Sequence, residues 1–441
     1  MSESQEVSMG QEAAKEVVGS IGPVPDSALQ RYVSGLGTAM ARTSERPGLP
    51  WSFVVIDDPM VNAFALPGGP IFVTRGILSH MNSEAQLVSV LGHEIGHITA
   101  KHSVQQMSQA QLAQLGLAAA VIARPGLAKF GNAASQGLGL LFLKFGRDDE
   151  TQADGLGFRY MVNAGYAPAE MAEMFRTLQR LGSGGQGRVP EWLSTHPDPG
   201  NRVQATMDRI ASQPSLSPAL RVEREAFLQR TEGLVFGENP RQGFFRQSLF
   251  LHPDLRFQFD FPGGWKTQNQ ATQVVGVSPQ QDAMVVLALA GTTPPSQALA
   301  SFLGQQGIRN DGSSSGSING LGAASAAFTA QTEQGVLAGN VAFVSLDGRT
   351  YRLLGYTSSN RYAAYRGALV QALASFRRLT DSSALSVQPS RVRLVRLTRA
   401  MTMPEFHRAY PSPIPVEQVA LINGVEPGAT LPAGALVKRV Q

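Results

Sequence analysis

The sequence predicts an α+β protein whose mainly helical first half precedes a strand-rich second half. Apolar residues recur at helical spacing through most of the first 240 residues, interrupted by β-prone runs at 51–56 and 61–74. Near residue 240 the composition changes to short strands, and a Ser-rich linker at 381–390 then precedes a small terminal unit. These observations predict three domains, at 1–240, 241–380 and 387–441.

The composition limits the classes of function. A chain of 441 residues with 43% hydrophobic and 16% charged residues fits a soluble protein of two or three domains. The net charge of +4 comes from dispersed basic residues, 31 Arg and 6 Lys, so we expect no nucleic-acid partner. The absence of cysteine excludes disulfides, thiol catalysis and Cys-ligated zinc.

No membrane span is predicted. The longest apolar candidate, Leu115–Ala123, is far shorter than the roughly 18 residues that a spanning helix needs. Residues 1–17 are polar and lack a secretory signal. We therefore expect either a cytoplasmic protein with Met1 as its native start or an exported protein whose signal is absent from this sequence.

The first elements predicted are two helices within 5–45, broken near Gly22–Asp26, and a strand at Trp51–Ile56. Two further strands, Ala63–Leu66 and Ile71–Thr74, are joined by a turn at Pro67–Pro70. Prolines at both ends of that turn favour an edge hairpin. An exposed edge strand can receive an extended peptide, although a purely structural hairpin is the alternative.

A helix with an apolar face is predicted over Ser83–His102. His93 and His97 lie one turn apart on it, so that both imidazoles can reach one metal ion. Glu94 is adjacent to the first of them and is placed to hold a water molecule activated by the metal. On the same helical wheel His102 lies opposite His93 and is not expected to join the site.

The histidine pair has a simpler alternative, because histidines four residues apart also occur on solvated helix surfaces. The chain, however, contains only seven histidines, and three of them fall within ten residues on a strongly apolar helix. A buried imidazole pair without a metal would need other polar partners. We therefore predict one Zn²⁺ ion per chain.

A catalytic zinc site with two helical histidines needs a third protein ligand and one open position. The segment 146–164 supplies four acidic candidates: Asp148, Asp149, Glu150 and Asp154. Acidic residues at the start of a helix are also a common solvated cluster. Spacing alone does not choose among the four.

Other segments of the first half carry weaker signals. Residues 103–145 are expected to form a helical hairpin that shields the site, faces a membrane or partner, or simply packs. Helices are predicted at Pro168–Leu181 and Gly200–Ser212. Between them His196 is either a turn residue or a group that reaches the metal's open side or stabilises an oxyanion.

The second half is predicted as an α+β sandwich without a catalytic cluster. Its predicted elements are helices at Pro295–Gly307 and Ala363–Phe376, a Ser/Gly loop at Asp311–Ser317, and strands at Ala326–Thr332, Gly335–Leu346 and Thr350–Thr357. The terminal unit is predicted as strand Val392–Leu397, helices Met403–Ala409 and Val416–Asn423, and strand Ala435–Arg439.

Four stretches taken together resemble the BepA-type zinc metallopeptidases, the family that includes the CAAX prenyl proteases and the mitochondrial Oma-type proteases. They are NAFALPGG (62–69), GHEIGHITAKH (92–102), R-x-x-E-x-x-A-D (147–154) and STHP-x-x-x-x-R (194–202). As an ordered set they are far more specific than the H-E-x-x-H pattern alone. The metzincin alternative fails, because Ala100 and Ser103 stand where it requires glycine and histidine.

The resemblance implies a mainly helical, gluzincin-type metallopeptidase domain. It implies zinc ligation by His93, His97 and Glu150, with Asp154 bonded to a ligand imidazole. By the same resemblance His102 helps to anchor the helix, and the loop residue His196 can approach the zinc. Whether His196 assists or blocks catalysis stays open.

The later regions carry weaker resemblances. Residues 244–380, with FPGGW (261–265) and INGLGA (318–323), are similar to a PsbP-like α/β/α sandwich. The terminal unit is similar to a LysM domain, a type of module that can bind peptidoglycan. Three prolines between 411 and 415 depart from that pattern.

The predicted function is zinc-dependent endopeptidase activity on unfolded or misassembled envelope proteins, with Glu94 as general base. The edge strand at Asn62, Ala63 and Phe64 is predicted to align the substrate. Expected partners are polypeptide substrates, with peptidoglycan or envelope assembly machinery to be tested. Family resemblance places the protein in a bacterial periplasm or envelope. The alternative is a chaperone-like or cell-wall-binding protein with a closed or latent zinc site.

Overall fold

The computed structural model describes residues 1–107, 145–183, 192, 195–196, 199–213, 219–270, 272–332 and 335–441. The fold is α+β, as the sequence predicts, and the chain forms two compact units. Met1–Glu238 and Ser390–Gln441 make the first unit, and Asn239–Pro389 makes the second. Most of the predicted helical hairpin at 103–145 lies outside the described residues. Among the described helices, none has the length and apolar character needed to cross a membrane.

The first unit is mainly helical. Up to residue 238 its helices are α1 (Glu3–Ser20), α2 (Ser27–Ala41), α3 (Arg75–His80), α4 (Glu84–Thr99), α5 (Arg147–Asn163), α6 (Ala169–Ser183), α7 (Pro199–Ala211) and α8 (Arg224–Thr231). Its strands in this region are β1 (Ser52–Ile56), β2 (Ala63–Ala65) and β3 (Pro70–Thr74). The predicted pair of N-terminal helices with an intervening break is confirmed.

The predicted edge hairpin is only half correct. The three-stranded sheet has the order β1-β3-β2, so β2 is an edge strand but β3 is central. β3 pairs in parallel with β1 and antiparallel with β2, and every residue of it is buried. Pro70 is tolerated in the central strand because it is the first residue, where a missing N–H costs least.

Helix α4 is shorter than the sequence predicts. It begins after Ser83, whose side chain caps the amide of Gln86, and it ends at Thr99. Lys101 then adopts a positive φ of 60°, which breaks the helix and redirects the chain. The prediction that His102 lies opposite His93 on the same helix is therefore wrong, because His102 follows the break at Lys101.

The core of the first unit surrounds α4, which is buried from Ala85 to Ile98 and packs against α2, α5 and α6. Its crossing with α5 is unusually close. A Cβ atom on Gly157 would lie 2.8 Å from the main-chain N of His93, and one on Gly96 would lie 2.9 Å from the carbonyl of Ala153. The absence of a side chain at these glycines allows the two helices to approach closely. This approach brings His93 and His97 of α4 near Glu150 of α5.

The second unit contains two antiparallel sheets, with strand orders β10-β11-β12-β13-β9-β8-β7 and β14-β6-β5-β4. Its strands are β4 (Phe244–Arg246), β5 (Leu249–His252), β6 (Phe257–Asp260), β7 (Lys266–Asn269), β8 (Gln273–Val277), β9 (Ala283–Leu289), β10 (Ile308–Ile318), β11 (Leu321–Thr332), β12 (Gly335–Leu346), β13 (Arg349–Ser358) and β14 (Arg377–Arg378). Its helices are α9 (Pro295–Leu303), α10 (Tyr362–Ala374) and α11 (Ser382–Leu385).

Two helices pack on opposite faces of the large sheet. Val341 and Phe343 of β12 share a core with α9, whereas the alternate residues Ala342 and Val344 share another with α10. The predicted Ser/Gly loop at Asp311–Ser317 is wrong. Those residues belong to the exposed edge strand β10. Serine, glycine and aspartate do not favour a strand by themselves, but hydrogen bonding to β11 stabilises one here.

The C-terminal residues contain β15 (Val392–Arg396), β16 (Met401–Thr402), α12 (Met403–Ala409), α13 (Val416–Ile422), β17 (Thr430–Leu431) and β18 (Leu436–Val440). β15 pairs antiparallel with β18. Residues 387–441 are predicted as a separate domain, whereas Ser390–Gln441 groups with the first unit. Within the predicted linker, Asp381 caps the short helix α11.

Candidate metal centre

Four buried side chains meet at the crossing of α4 and α5. His93 and His97 come from α4, Glu150 from α5, and His196 from the turn that precedes α7. One potential ligand atom from each lies within 4.8 Å of all the others. Of the four acidic candidates, Glu150 is the one whose carboxylate lies within 3.5 Å of both His93 and His97. Asp148 is exposed.

The distances leave room for one small ion. The two Nε2 atoms of His93 and His97 are 3.0 Å apart. Oxygens of Glu150 lie 3.5 Å from the Nε2 atom of His93 and 3.4 Å from that of His97. The Nδ1 atom of His196 is 2.8 Å from Glu150 Oε1 and 3.2 Å from His93 Nε2.

Neighbouring side chains determine the tautomer of each helical histidine. The Nδ1–H of His93 donates to Asp154 Oδ1 at 2.9 Å, so its Nε2 atom carries a lone pair. The Nε2–H of His102 donates to Gln152 Oε1 at 3.0 Å, which makes the Nδ1 atom of His102 an acceptor. That atom lies 2.9 Å from His97 Nδ1, which must therefore be the donor.

The Nε2 atoms of His93 and His97 are thus both unprotonated and lie 3.0 Å apart, so that their lone pairs repel each other. A cation bound to both nitrogens would remove this repulsion. Glu150 Oε2 is buried and accepts no hydrogen bond from the described residues, although it is ion-paired with Arg202. Imidazole nitrogens and a carboxylate oxygen are the ligand types that zinc prefers in proteins. These residues fit one zinc ion.

Arg202 on α7 joins two of the acidic residues of α5, Glu150 and Asp154. Its Nε and one terminal nitrogen donate to Asp154 at 2.8 and 2.7 Å, and its other nitrogen lies 3.0 Å from Glu150 Oε2. Burial alone would raise the pKa of Asp154, but Arg202 and the hydrogen bond from His93 lower it to about 2. Arg202 is the last residue of the motif at 194–202, and its role could not be predicted from the sequence.

Glu94 lies beside the cluster and has no side-chain exposure. Neither of its carboxylate oxygens has a hydrogen-bond partner among the described residues, and Oε1 is 3.8 Å from His196 Nε2. Burial raises the pKa of Glu94 to about 7, although His196 opposes this shift. A carboxylate in this environment can accept and return a proton near neutral pH.

The predicted substrate strand runs past Glu94. Ala63 and Phe64 belong to the edge strand β2, and Asn62 precedes it. Burial raises the pKa of Glu94, and the nearby main chain of Ala65, the last residue of β2, opposes this shift. The side-chain oxygen of Asn62 is buried without a partner among the described residues. Within the described part of the chain, β2 pairs with another strand on one side only.

His196 is held over the cluster by aromatic stacking. Its ring lies 4.2 Å from that of Trp192 at an interplanar angle of 26°, and its amide donates to the carbonyl of Trp192. The amide of Trp192 in turn donates to the carbonyl of Val61 at 3.3 Å, two residues before strand β2. The role of Trp192 could not be predicted from the sequence, since a single tryptophan in a predicted loop indicates no particular contact.

The chain is similar in sequence to known metallopeptidases. Residues 27–210 match the model of Peptidase family M48. The chain is 34% identical over 194 residues to the mitochondrial metalloendopeptidase OMA1 of Arabidopsis thaliana, a match that covers 44% of this chain and 38% of that protein. It is 29% identical over 222 residues to the beta-barrel assembly-enhancing protease of Escherichia coli (strain K12), covering 47% and 44%. The chain thus spans less than half the length of these relatives.

Among solved structures, cyanobacterial PsbP from Synechocystis sp. PCC 6803 matches 31% of this chain and 95% of its own, with 12% identity and a TM-score of 0.26. A TM-score this low carries no argument about the second unit. The PsbP-like and LysM-like resemblances stay predictions.

Proposed function

We propose that this chain, whose residues 27–210 form a metallopeptidase domain of family M48 related to OMA1 and the beta-barrel assembly-enhancing proteases, is a zinc-dependent endopeptidase. The observation that carries the proposal is the cluster of His93, His97 and Glu150 with the unpartnered carboxylate of Glu94 beside it.

The residues have complementary roles in peptide hydrolysis. Zinc held by His93, His97 and Glu150 would polarise the scissile carbonyl and lower the pKa of a bound water from about 16 to about 7. Glu94 takes one proton from the attacking water as its oxygen bonds to the carbonyl carbon. It returns that proton to the amide nitrogen as the carbon–nitrogen bond breaks.

The substrate class follows from the edge strand. A peptide added beside β2 would be held mainly by main-chain hydrogen bonds, which give affinity without much sequence preference. We therefore propose unfolded or misassembled polypeptides as substrates. The name of the Escherichia coli relative supports envelope proteins and a periplasmic or envelope location, whereas the Arabidopsis relative is named as mitochondrial.

The decisive experiment combines metal analysis with degradation of an unfolded protein such as casein. Glu94→Gln should keep about one zinc per chain and lose nearly all hydrolysis, because the amide cannot accept the proton. Glu12→Gln, at an exposed position on α1, is the matched control and should behave as the wild type. Undiminished hydrolysis by Glu94→Gln would reject the proposal.

A second candidate is favoured by the position of His196. Its Nδ1 atom is within 3.2 Å of both His93 Nε2 and a Glu150 oxygen, so it can complete a closed four-ligand site. Such a site would make the chain a latent enzyme, or a chaperone-like or cell-wall-binding protein. Hydrolysis by His196→Ala but not by the wild type would identify latency. Hydrolysis by neither, with zinc retained by both, would favour the binding protein.

A further inference from the structure

Lys438 on β18 is buried without a carboxylate partner among the described residues. Its side chain has no exposed area, and its Nζ atom donates to the carbonyls of Ser79 at 2.9 Å and Met81 at 2.7 Å. Asn423 holds the main chain of Lys438 from both sides, with 2.8 Å bonds to its N–H and its carbonyl. Burial lowers the pKa of Lys438 well below its usual range.

Removing an ammonium group from water is costly unless its hydrogen bonds are replaced. The two carbonyls provide that replacement only while β18 stays against the turn between α3 and α4. The same turn receives a second cation, since Arg224 on α8 donates to the carbonyl of Asn82 at 3.3 Å. Without these donors, buried carbonyl groups would be left unpaired.

This turn leads directly into the helix that carries the candidate ligands. Met81 is two residues before Ser83, the N-cap of α4. The position of Lys438 therefore bears on where α4 begins, and through the helix on His93 and His97.

Other contacts join the C-terminal residues to the first unit. Val392 is a member of the main core cluster, and Leu394 and Leu436 pack against it. Arg180 on α6 donates to the carbonyl of Val425 at 2.8 Å. A Cβ atom on Gly424 would lie 3.0 Å from the side chain of Asn82, which shows how closely the two segments approach.

We propose that residues 390–441 are an intramolecular partner of the peptidase domain, and that Lys438 is a positioning residue that fixes the start of α4. A LysM-like module that binds a ligand independently would not need this buried lysine. The effect of Lys438 on zinc binding by His93 and His97 rests on the proposed function, whereas the packing of residues 390–441 against the rest of the first unit does not.

The test uses the full chain with Lys438→Glu, which places a carboxylate against the two carbonyls. Hydrogen exchange is measured without zinc, so that the result is independent of peptidase activity. We expect amides in 79–99 to exchange at least tenfold faster, with residues 239–389 unchanged. Zinc affinity, measured by chelator competition, should fall by at least tenfold. Lys266→Glu, at an exposed lysine of the second unit, is the matched control.

Exchange in 79–99 within twofold of the wild type would overturn the proposal. If Lys438→Glu does not fold, Arg180→Ala removes a peripheral contact of the same segment without burying a charge. It should raise exchange in 79–99 by about threefold, and no change would also overturn the proposal. Retained hydrolysis by Glu94→Gln would instead reject the proposed function and leave the exchange result intact.

Discussion

The Nδ1 atom of His102 lies 2.9 Å from the Nδ1 atom of His97. His102 is buried and its other nitrogen is hydrogen-bonded to Gln152, so its Nδ1 atom accepts a hydrogen bond from the Nδ1–H of His97. The inward-facing Nε2 atom of His97 is then free to bind a metal. Outer groups of this kind orient ligands and raise their basicity.

We therefore expect His102→Phe to weaken zinc binding by about 10- to 100-fold. His102→Gln is the conservative comparison, since its side-chain carbonyl can still accept a hydrogen bond from His97, and it should retain much of the affinity. Chelator competition measures both. Equal zinc affinity for the wild type and His102→Phe would show that His102 does not act through His97.

The close crossing of α4 and α5 can be tested with alanine. Gly157→Ala would bring a methyl group to within 3.1 Å of the main chain of His93 and Gly92, so the helices must separate. We expect a loss of about 1–3 kcal/mol in the free energy of unfolding and weaker zinc binding. The measurements are urea unfolding and chelator competition.

Gly155 on the same helix provides the control for this substitution. A Cβ atom there would meet only the flexible end of Arg209 at 3.8 Å. Gly155→Ala should therefore stabilise the chain by about 0.5–1 kcal/mol through helix propensity and leave zinc affinity unchanged. Similar behaviour of the two variants would contradict the packing argument.

The buried pair of Arg202 and Asp154 should be strongly coupled. Removing one partner leaves an uncompensated buried charge, so Arg202→Met should lower the free energy of unfolding by about 3–5 kcal/mol. In the Arg202→Met, Asp154→Asn double variant the cost should be clearly less than the sum of the single costs. Additive costs in a double-mutant cycle would show that the two side chains are not coupled.

A pH dependence is expected from His80. Burial lowers the pKa of His80 from 6.5 to about 4, and its Nδ1–H donates to the carbonyl of Gly76 at 2.8 Å. Because the unfolded state binds the extra proton, stability is full above about pH 6.5 and is lost as pH falls toward about 4. At pH 5 the loss is about 2 kcal/mol.

His80→Gln should remove this part of the pH dependence, as measured by urea unfolding at pH 7.5 and pH 5. His252→Gln is the comparison, because burial also lowers the pKa of His252 to about 4, but in the second unit. Hydrogen exchange of the first unit should therefore respond to His80→Gln alone. An unchanged pH dependence in that variant would exclude His80 as its source.

Much of the fold could be predicted because local patterns determine it. The two N-terminal helices, the central helix with His93, Glu94 and His97, and the helix at 403–409 all follow from apolar spacing and capping residues. The strand β10 could not be predicted, since its Ser- and Gly-rich sequence becomes a strand only through pairing with β11. Likewise, no local pattern places β3 at the centre of its sheet.

The sequence by itself determined which residue types could form a metal site and, through an ordered set of motifs, the family that they resemble. Tertiary structure decided which acidic residue joins the two helical histidines, because the approach of α5 to α4 brings Glu150 within reach of both imidazoles. It also decided the partners of His102, since one positive φ at Lys101 redirects the chain. Such contacts depend on how distant backbones approach, and spacing along the chain does not encode that distance.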